Sequence, residues 1–338
     1  MAVQKPTSLD IAAAAGVSQA TVSRALRDSP QVSEETRERV KKAARELGYI
    51  VNRNAAGLRT QQTNVLAVLL FDELGQHRFE ANPFFLSMFG SISHAAAELK
   101  YDVLVTFQED SENWHHDLIV ANRADGIILL GYGDYRDSGS KFSMLTENEC
   151  PYVLWGPDLP ELKGKVVGCN NIKGGRLATE HLLSTGRNKI AFVGEASASS
   201  PEFLARFQGY SQTLTDAGIA VDPALQFDAH DEQEGYLAGL RLLASGCQFD
   251  GVFAVSDSIA IGVMRALKEA DKRIPDDIAL VGFDDLPLAA YVEPSLTTVR
   301  QDCKMAGQLL VHSLVSQIHK KAPGQMTIEP ELIVRQSS

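Results

Sequence analysis

From residue 64 to about residue 334 the chain alternates continuous apolar runs with amphipathic stretches, whereas its first 48 residues place apolar side chains only at helical spacing. The runs NVLAVLLF (64–71), YDVLVTF (101–107), ADGIILLG (124–131) and CPYVLWG (150–156) read as one set of buried parallel strands. KIAFVG (189–194), FDGVFAVS (249–256) and IALVGFDD (278–285) read as a second set. Between them, residues 85–99, 174–184, 201–217, 234–244 and 258–270 read as helices. This alternation predicts right-handed β-α-β units and an α/β core of two doubly wound parallel sheets. Two such sheets in one body imply a cleft. Ligands of open α/β sheets bind beyond the carboxyl ends of the strands, which picks out Asp72, Tyr132, Trp155, Ser256, Asp257 and Asp284.

The N-terminal pattern is different. In residues 7–27, Thr7 with Asp10 three residues on predicts a capped first helix, with Ile11, Ala12 and Ala15 as a narrow apolar stripe and Gly16 as the corner. Ser18 is the natural cap of a second helix, in which Val22 and Leu26 face inward and Gln19, Ala20, Ser23 and Arg24 face outward. Ser33, followed by Glu34 and Glu35, opens a third helix with Val40, Ala43, Ala44 and Leu47 at helical spacing, and Gly48 closes it. The expected unit is an all-α helix-turn-helix headpiece.

Its outward face suits DNA. In the major groove Gln can bond the edge of adenine at two points, Arg can do the same to guanine, and Ala can touch a thymine methyl. Thr7, Ser18, Thr21, Ser23 and the amides at the start of the second helix are placed to hold phosphates or positions beside them. Residues 49–63 follow, rich in Asn, Gln and Gly, with Asn52, Ala55 and Leu58 spaced three apart on one short helical face. Gly57 costs such a helix about 1 kcal/mol relative to alanine, and so short a segment nucleates poorly, so it is expected to order only on binding.

Charge changes the picture by its distribution. The 338 residues carry a net −11, but residues 1–60 hold 10 Lys and Arg against 6 Asp and Glu, or +4, and the remainder 22 against 37, or −15. A basic arm on an acidic body points to a nucleic-acid module. The four cysteines, Cys150, Cys169, Cys247 and Cys303, lie far apart, which argues for reduced thiols rather than a disulfide framework or a zinc site. No leader pattern opens the chain and its longest clean apolar run, 65–71, is far short of a membrane span, so a cytoplasmic protein without membrane contact is expected.

Taken together, these residues resemble the lactose/galactose repressor (LacI/GalR) family of bacterial transcription regulators, over nearly the whole chain. The headpiece pattern is carried by Asp10-Ile11-Ala12, Ala15-Gly16-Val17-Ser18, Thr21-Val22-Ser23-Arg24, Val32-Ser33, Thr36-Arg37 and Gly48-Tyr49-Ile50, and the hinge pattern by Asn52, Ala55 and Leu58. NPFF at 82–85, GGRLATEHLLSTGRNKIAFVG at 174–194, SDSIAIG at 256–262 and IPDDIALVGFDD at 274–285 correspond to segments of the family's ligand-binding core. Ser8 stands where the family has Ile or Leu, Val51 where it has Pro, Asn170 where Asp is common, and His230 where relatives often have Trp or Phe.

The resemblance implies a periplasmic-binding-protein-like (type I) core and three regions: a headpiece at 1–50, a hinge at 51–63 and an effector and dimerisation core at 64–338. One subdomain would take about 64–186 and 290–320, the other about 187–289 and 321–338. It implies that Leu58 wedges into the minor groove at the centre of a palindromic operator. Mapped residue by residue, it places Phe84, Phe85, Arg206, His230 and Asp284 at an effector site, joined by Trp155 and Asp257 from the strand-end reading. Arg206 offers forked donors and Asp284 acceptors, a combination suited to adjacent hydroxyls of a sugar. Taken singly, Phe84 and Phe85 read better as core than as ligand contacts, and Arg206 reads about equally as a surface helix residue.

Enzymatic patterns are poorly met. GYGDYR at 131–136 imitates a dinucleotide fingerprint but has Arg136 where the third glycine belongs, and His115-His116 are adjacent rather than four apart. The reading is therefore a non-enzymatic regulator that needs no cofactor and no metal. It is expected to be a homodimeric repressor of carbohydrate-utilisation genes that binds palindromic double-stranded DNA under control of a sugar effector. The alternatives are a sugar-binding receptor with no role on DNA and a purine- or nucleoside-responsive regulator of the same family.

Overall fold

A computed structural model describes residues 6–49, 62–71, 82–108, 111–131, 139–157, 162, 164–322, 324 and 326–338. Asn52, Ala55, Leu58, Asp72 and Tyr132, singled out above, lie outside the described residues. The chain divides into two compact units, Met1–Thr63 and Asn64–Ser338.

Among its described residues the first unit holds three helices, α1 (Ser8–Ala15), α2 (Gln19–Ala25) and α3 (Glu34–Glu46). Thr7 and Asp10 form the reciprocal cap expected of them: the Thr7 amide donates to Asp10 Oδ2 at 2.7 Å and the Asp10 amide to Thr7 Oγ1 at 3.4 Å. Gly16 adopts the left-handed conformation (φ 62°) that ends α1 without a Cβ penalty. Arg39 Nε donates to the Ala15 carbonyl at 3.0 Å, satisfying one of the acceptors that the end of α1 leaves open. Ile11, Ala12, Ala15, Val22, Ala25, Val32, Val40, Ala43 and Ala44 form the core. Leu47, expected inside, is exposed, because it follows the last residue of α3; Tyr49 and Leu26 pack against the core instead.

Among the described residues the second unit is built from two six-stranded sheets. Before the first crossing it comprises β1 (Val65–Leu70), α4 (Pro83–Glu98), β2 (Asp102–Phe107), a π-helical turn (His115–Val120), β3 (Gly126–Leu130), α5 (Gly139–Glu147), β4 (Tyr152–Trp155) and β5 (Val166–Cys169). There follow α6 (Asn171–Ser184), β6 (Ile190–Val193), α7 (Pro201–Asp216), β7 (Gln226–Phe227), α8 (Glu232–Ala244), β8 (Gly251–Ala254), α9 (Asp257–Glu269), β9 (Ala279–Asp284) and β10 (Thr297–Arg300). The chain ends with α10 (Cys303–Ile318), β11 (Thr327–Ile328) and β12 (Glu331–Ile333).

Strand order is β11-β5-β4-β3-β1-β2 in the first sheet, all parallel. In the second it is β12-β10-β9-β8-β6-β7, with only β12 antiparallel. Successive side chains of β1 divide between the faces of its sheet. Leu66, Val68 and Leu70 join the cluster under α4 and α10, while Ala67 and Leu69 join the one containing Trp114 and Phe142. β2, read from sequence as a buried strand, is an edge strand with Asp102 and Val105 exposed.

The chain crosses between the sheets after β5, after β10 and after β11. These crossings differ from the expected subdomain limits. α6 packs its Ala178 and Leu182 into the core of the second sheet, β10 pairs with β9 (Thr297 against Val281), and β11 pairs with β5 in the first sheet. Each of these segments is short or mixed in polarity, so only its non-local partner fixes which sheet it joins.

Candidate functional site

In the first unit, Gln19, Ala20 and Arg24 are exposed on α2, as a reading face requires. Ser18 caps α2 by accepting the Thr21 amide at 3.2 Å, and its hydroxyl lies 2.9 Å from Thr21 Oγ1. Thr7 Oγ1 is engaged by Asp10 at 2.7 Å, which fixes the start of α1 and holds the Asp10 carboxyl below its ordinary range through the Thr7 backbone and hydroxyl bonds. Ser23 accepts from Arg27 Nη2 at 2.7 Å. Gln19 Nε2 donates to Ser8 Oγ on α1 at 2.7 Å. This bond, invisible in the sequence because its partners are eleven residues apart, joins the two helices through a predicted reader.

In the second unit, tight packing of α6 on α7 positions the buried cation. A Cβ on Gly209 would lie 2.1 Å from the Ile172 carbonyl, and one on Gly175 would lie 2.1 Å from the Arg206 carbonyl, so only glycine permits this approach. Arg206 is fully buried. Its Nε donates to Asn171 Oδ1 at 2.8 Å, its Nη1 donates to the Val255 carbonyl at 2.5 Å, and its plane lies over the Phe283 ring at 3.8 Å. Nη1 also stands 3.9 Å from Asp284 Oδ1. The surface alternative for Arg206 is thereby ruled out.

Asp284 ends β9 with φ at 112°, and Asp285 follows at 54°, two consecutive non-glycine residues in sparsely populated conformations. Such strain persists where the surroundings over-determine it. Asp285 is held by Arg300 Nε at 2.7 Å and Arg335 Nη2 at 2.6 Å, from β10 and the segment after β12. Burial pushes the Asp284 carboxyl up to about 6, against the opposing pull of Arg206 and of Gln301 Nε2, which donates to Asp284 Oδ1 at 2.7 Å.

Gln301 and Asn171 were missed at the sequence level. Gln301 is buried in the crossing between β10 and α10, and its Oε1 has no hydrogen-bond partner among the described residues. Asn171 opens α6 just after the first crossing. Arg206 and Asp284 are thus each bonded to a residue at a segment joining the two sheets. Nothing in the local sequence around Gln301 or Asn171 marks them, since their roles come from distant partners.

The other expected effector residues fall elsewhere. Phe84, Phe85 and Trp155 are buried in the first sheet's apolar cluster, with the Phe84 ring 5.4 Å from Phe85 and 5.8 Å from Trp155. They are core side chains here rather than open stacking faces. Asp257 is fully buried with both oxygens used: Oδ2 accepts the Leu286 amide at 2.7 Å and Oδ1 the Thr298 hydroxyl at 2.5 Å. It clamps the β9 and β10 ends instead of presenting a free acceptor. His230 is half exposed after β7, 3.7 Å from Glu195 Oε2, and lines a surface pocket of about 450 Å³ with Gln226, Phe227, Asp228, Glu234, Leu237 and Arg241. That pocket includes neither Arg206 nor Asp284.

Comparison with known proteins bears on both units. The family described as "Bacterial regulatory proteins, lacI family" matches residues 7–52, and a periplasmic binding protein-like domain matches residues 179–338. The chain is 36% identical to the HTH-type transcriptional regulator CelR of Thermobifida fusca, over 99% of this chain and 98% of that one. A solved CelR–cellobiose complex superposes with a TM-score of 0.72 at 33% identity, covering 98% of this chain and 100% of the other. The lac repressor dimer bound to operator and the anti-inducer ONPF superposes with a TM-score of 0.85 at 27% identity, covering 99% of each chain.

Proposed function

Because the chain belongs to the lacI family of bacterial regulatory proteins, and is a DNA-binding transcription regulator, we propose that it represses carbohydrate-utilisation genes under control of a sugar held by Arg206 and Asp284. The observation that carries this reading is the buried pairing of a guanidinium with a carboxylate that is 97% shielded from solvent yet strained and costly to ionise. A buried charge pair is weak evidence for stability, so a binding role accounts for it better. Donors on Arg206, acceptors on Asp284 and the open Oε1 of Gln301 together suit a ligand with neighbouring hydroxyls. The cellobiose bound by the related CelR is such a ligand.

The proposal assigns residues 1–50 to DNA reading, 51–63 to a hinge and 64–338 to the effector core. Gln19, Ala20 and Arg24 address base edges, Thr7, Ser18, Thr21 and Ser23 support them, and Asn52, Ala55 and Leu58 form the hinge face, with Leu58 in the minor groove. Two copies bind a palindrome as a homodimer, as in the lac repressor dimer structure, and act in the cytoplasm without catalysing a reaction. Among the described residues no helix is long and apolar enough to cross a membrane.

A sugar can change operator affinity only by binding two arrangements of the core with different affinities, and the effect is then reciprocal. The bonds from Arg206 to Asn171 and from Asp284 to Gln301 give a ligand purchase on two segments that join the sheets. A thermal-shift screen of neutral mono- and disaccharides, cellobiose and ribose included, tests the reading. Wild type should be stabilised by at least one, as mass action requires of a ligand that binds only the folded state. A nucleoside that stabilises it when no sugar does would favour the nucleoside-responsive alternative.

A further inference from the structure

The outward face of α2 holds one side chain whose orientation is fixed from another helix. Gln19 is exposed on the first turn of α2, and its Nε2 donates to the Ser8 hydroxyl, at the first position of α1, over 2.7 Å. We propose that Ser8 is a positioning residue that sets the orientation of the Gln19 amide and so sharpens the base that Gln19 selects. The inference rests on α2 being the base-reading helix.

A glutamine amide carries two N–H donors on one side and a carbonyl acceptor on the other. With one N–H bound to Ser8, the second N–H and Oε1 remain for a base edge. That donor-and-acceptor pair matches N7 and the N6 amino group of adenine, and mismatches guanine, whose N7 and O6 are both acceptors. An amide free to turn would present both N–H groups outward and would tolerate guanine. A hydroxyl at position 8 makes the bond possible, whereas the aliphatic side chain common at this position in the family could not. α1 itself does not depend on Ser8, because its cap is formed by Thr7 and Asp10.

The test selects double-stranded oligonucleotides from a randomised pool with the full chain, at one salt concentration, for wild type and for Ser8→Ala, Ser8→Thr and Gln19→Ala. Melting temperatures establish that each variant is folded. Gln19→Ala should lose adenine preference at one position of each half-site. Ser8→Ala should lower the adenine-over-guanine preference at that same position by about threefold, the lower end of what one net hydrogen bond contributes. Ser8→Thr, which keeps the hydroxyl, should retain the wild-type profile. The proposal is overturned if Gln19→Ala changes the profile and Ser8→Ala does not, or if Ser8→Thr behaves as Ser8→Ala. Should Gln19→Ala leave the profile unchanged, Gln19 is no reader and the Ser8 proposal falls with it.

Discussion

Replacing Asp284 by asparagine should stabilise the ligand-free protein at neutral pH while removing its response to sugar. The carboxyl is buried and its ionisation moves from an ordinary 3.8 up to about 6, because burial outweighs Arg206 and Gln301. At about 1.4 kcal/mol per pH unit, ionising Asp284 in the folded state costs about 3 kcal/mol more than in the unfolded chain. The sign follows from proton counting. Between about pH 4 and pH 6 the native state holds a proton that the unfolded state has lost, so this group's contribution falls as pH rises through that window and is flat above it. Asparagine mimics the protonated carboxyl, keeps an acceptor for Gln301 Nε2 and removes the cost. Urea unfolding of wild type and Asp284→Asn at a series of pH values isolates the effect as a difference curve, free of carboxylates that titrate in both. The variant should be more stable by up to about 3 kcal/mol at pH 7.5, or up to about 5 °C in melting temperature, with the advantage fading towards pH 4. An Asp284→Asn protein less stable than wild type at pH 7.5, or a difference independent of pH, would refute the reasoning that this carboxylate is kept at a cost to stability.

Three further outcomes are expected. Arg24→Ala should cost about 1–3 kcal/mol per half-site and relax preference at one base position, and an unchanged preference profile in a binding-site selection would remove Arg24 from the reading set. Leu58→Ala should weaken operator binding far more than binding to random DNA, because only the specific complex gains from a kinked site; equal losses in a gel-shift titration against both DNAs would contradict the wedge. Gly209→Ala puts a methyl 2.1 Å from the Ile172 carbonyl, so α6 and α7 must separate beside Arg206; a loss of about 1–3 kcal/mol on urea unfolding is expected, and an unchanged midpoint would show that this contact yields freely.

The parts of this molecule that were legible in its sequence are those governed by neighbours in the chain. Thr7 with Asp10, Ser18 with Thr21 and the apolar runs of β1, β3, β4, β6, β8 and β9 all announce themselves locally, and the fold class follows from their order. β10 and β11 did not, because Thr297 and Thr298 are polar by type and buried only through pairing with β9 and packing at the crossing. The site was half legible. Arg206 and Asp284 meet as expected, but Gln301 and Asn171 join them through bonds 17 and 35 residues apart in the chain. Asp257 was misjudged because a carboxylate at the start of a helix looks the same whether its oxygens face a ligand or, as here, the Leu286 amide and the Thr298 hydroxyl.

If a sugar bound at Arg206 and Asp284 alters DNA affinity, the effect is read by measuring affinity for a selected operator with and without the stabilising sugar, at one salt concentration, for wild type and Asp284→Asn. Operator affinity should change with sugar in wild type, whereas Asp284→Asn should bind sugar-free operator about as wild type does and show no response to sugar. A full wild-type response in Asp284→Asn would contradict that expectation.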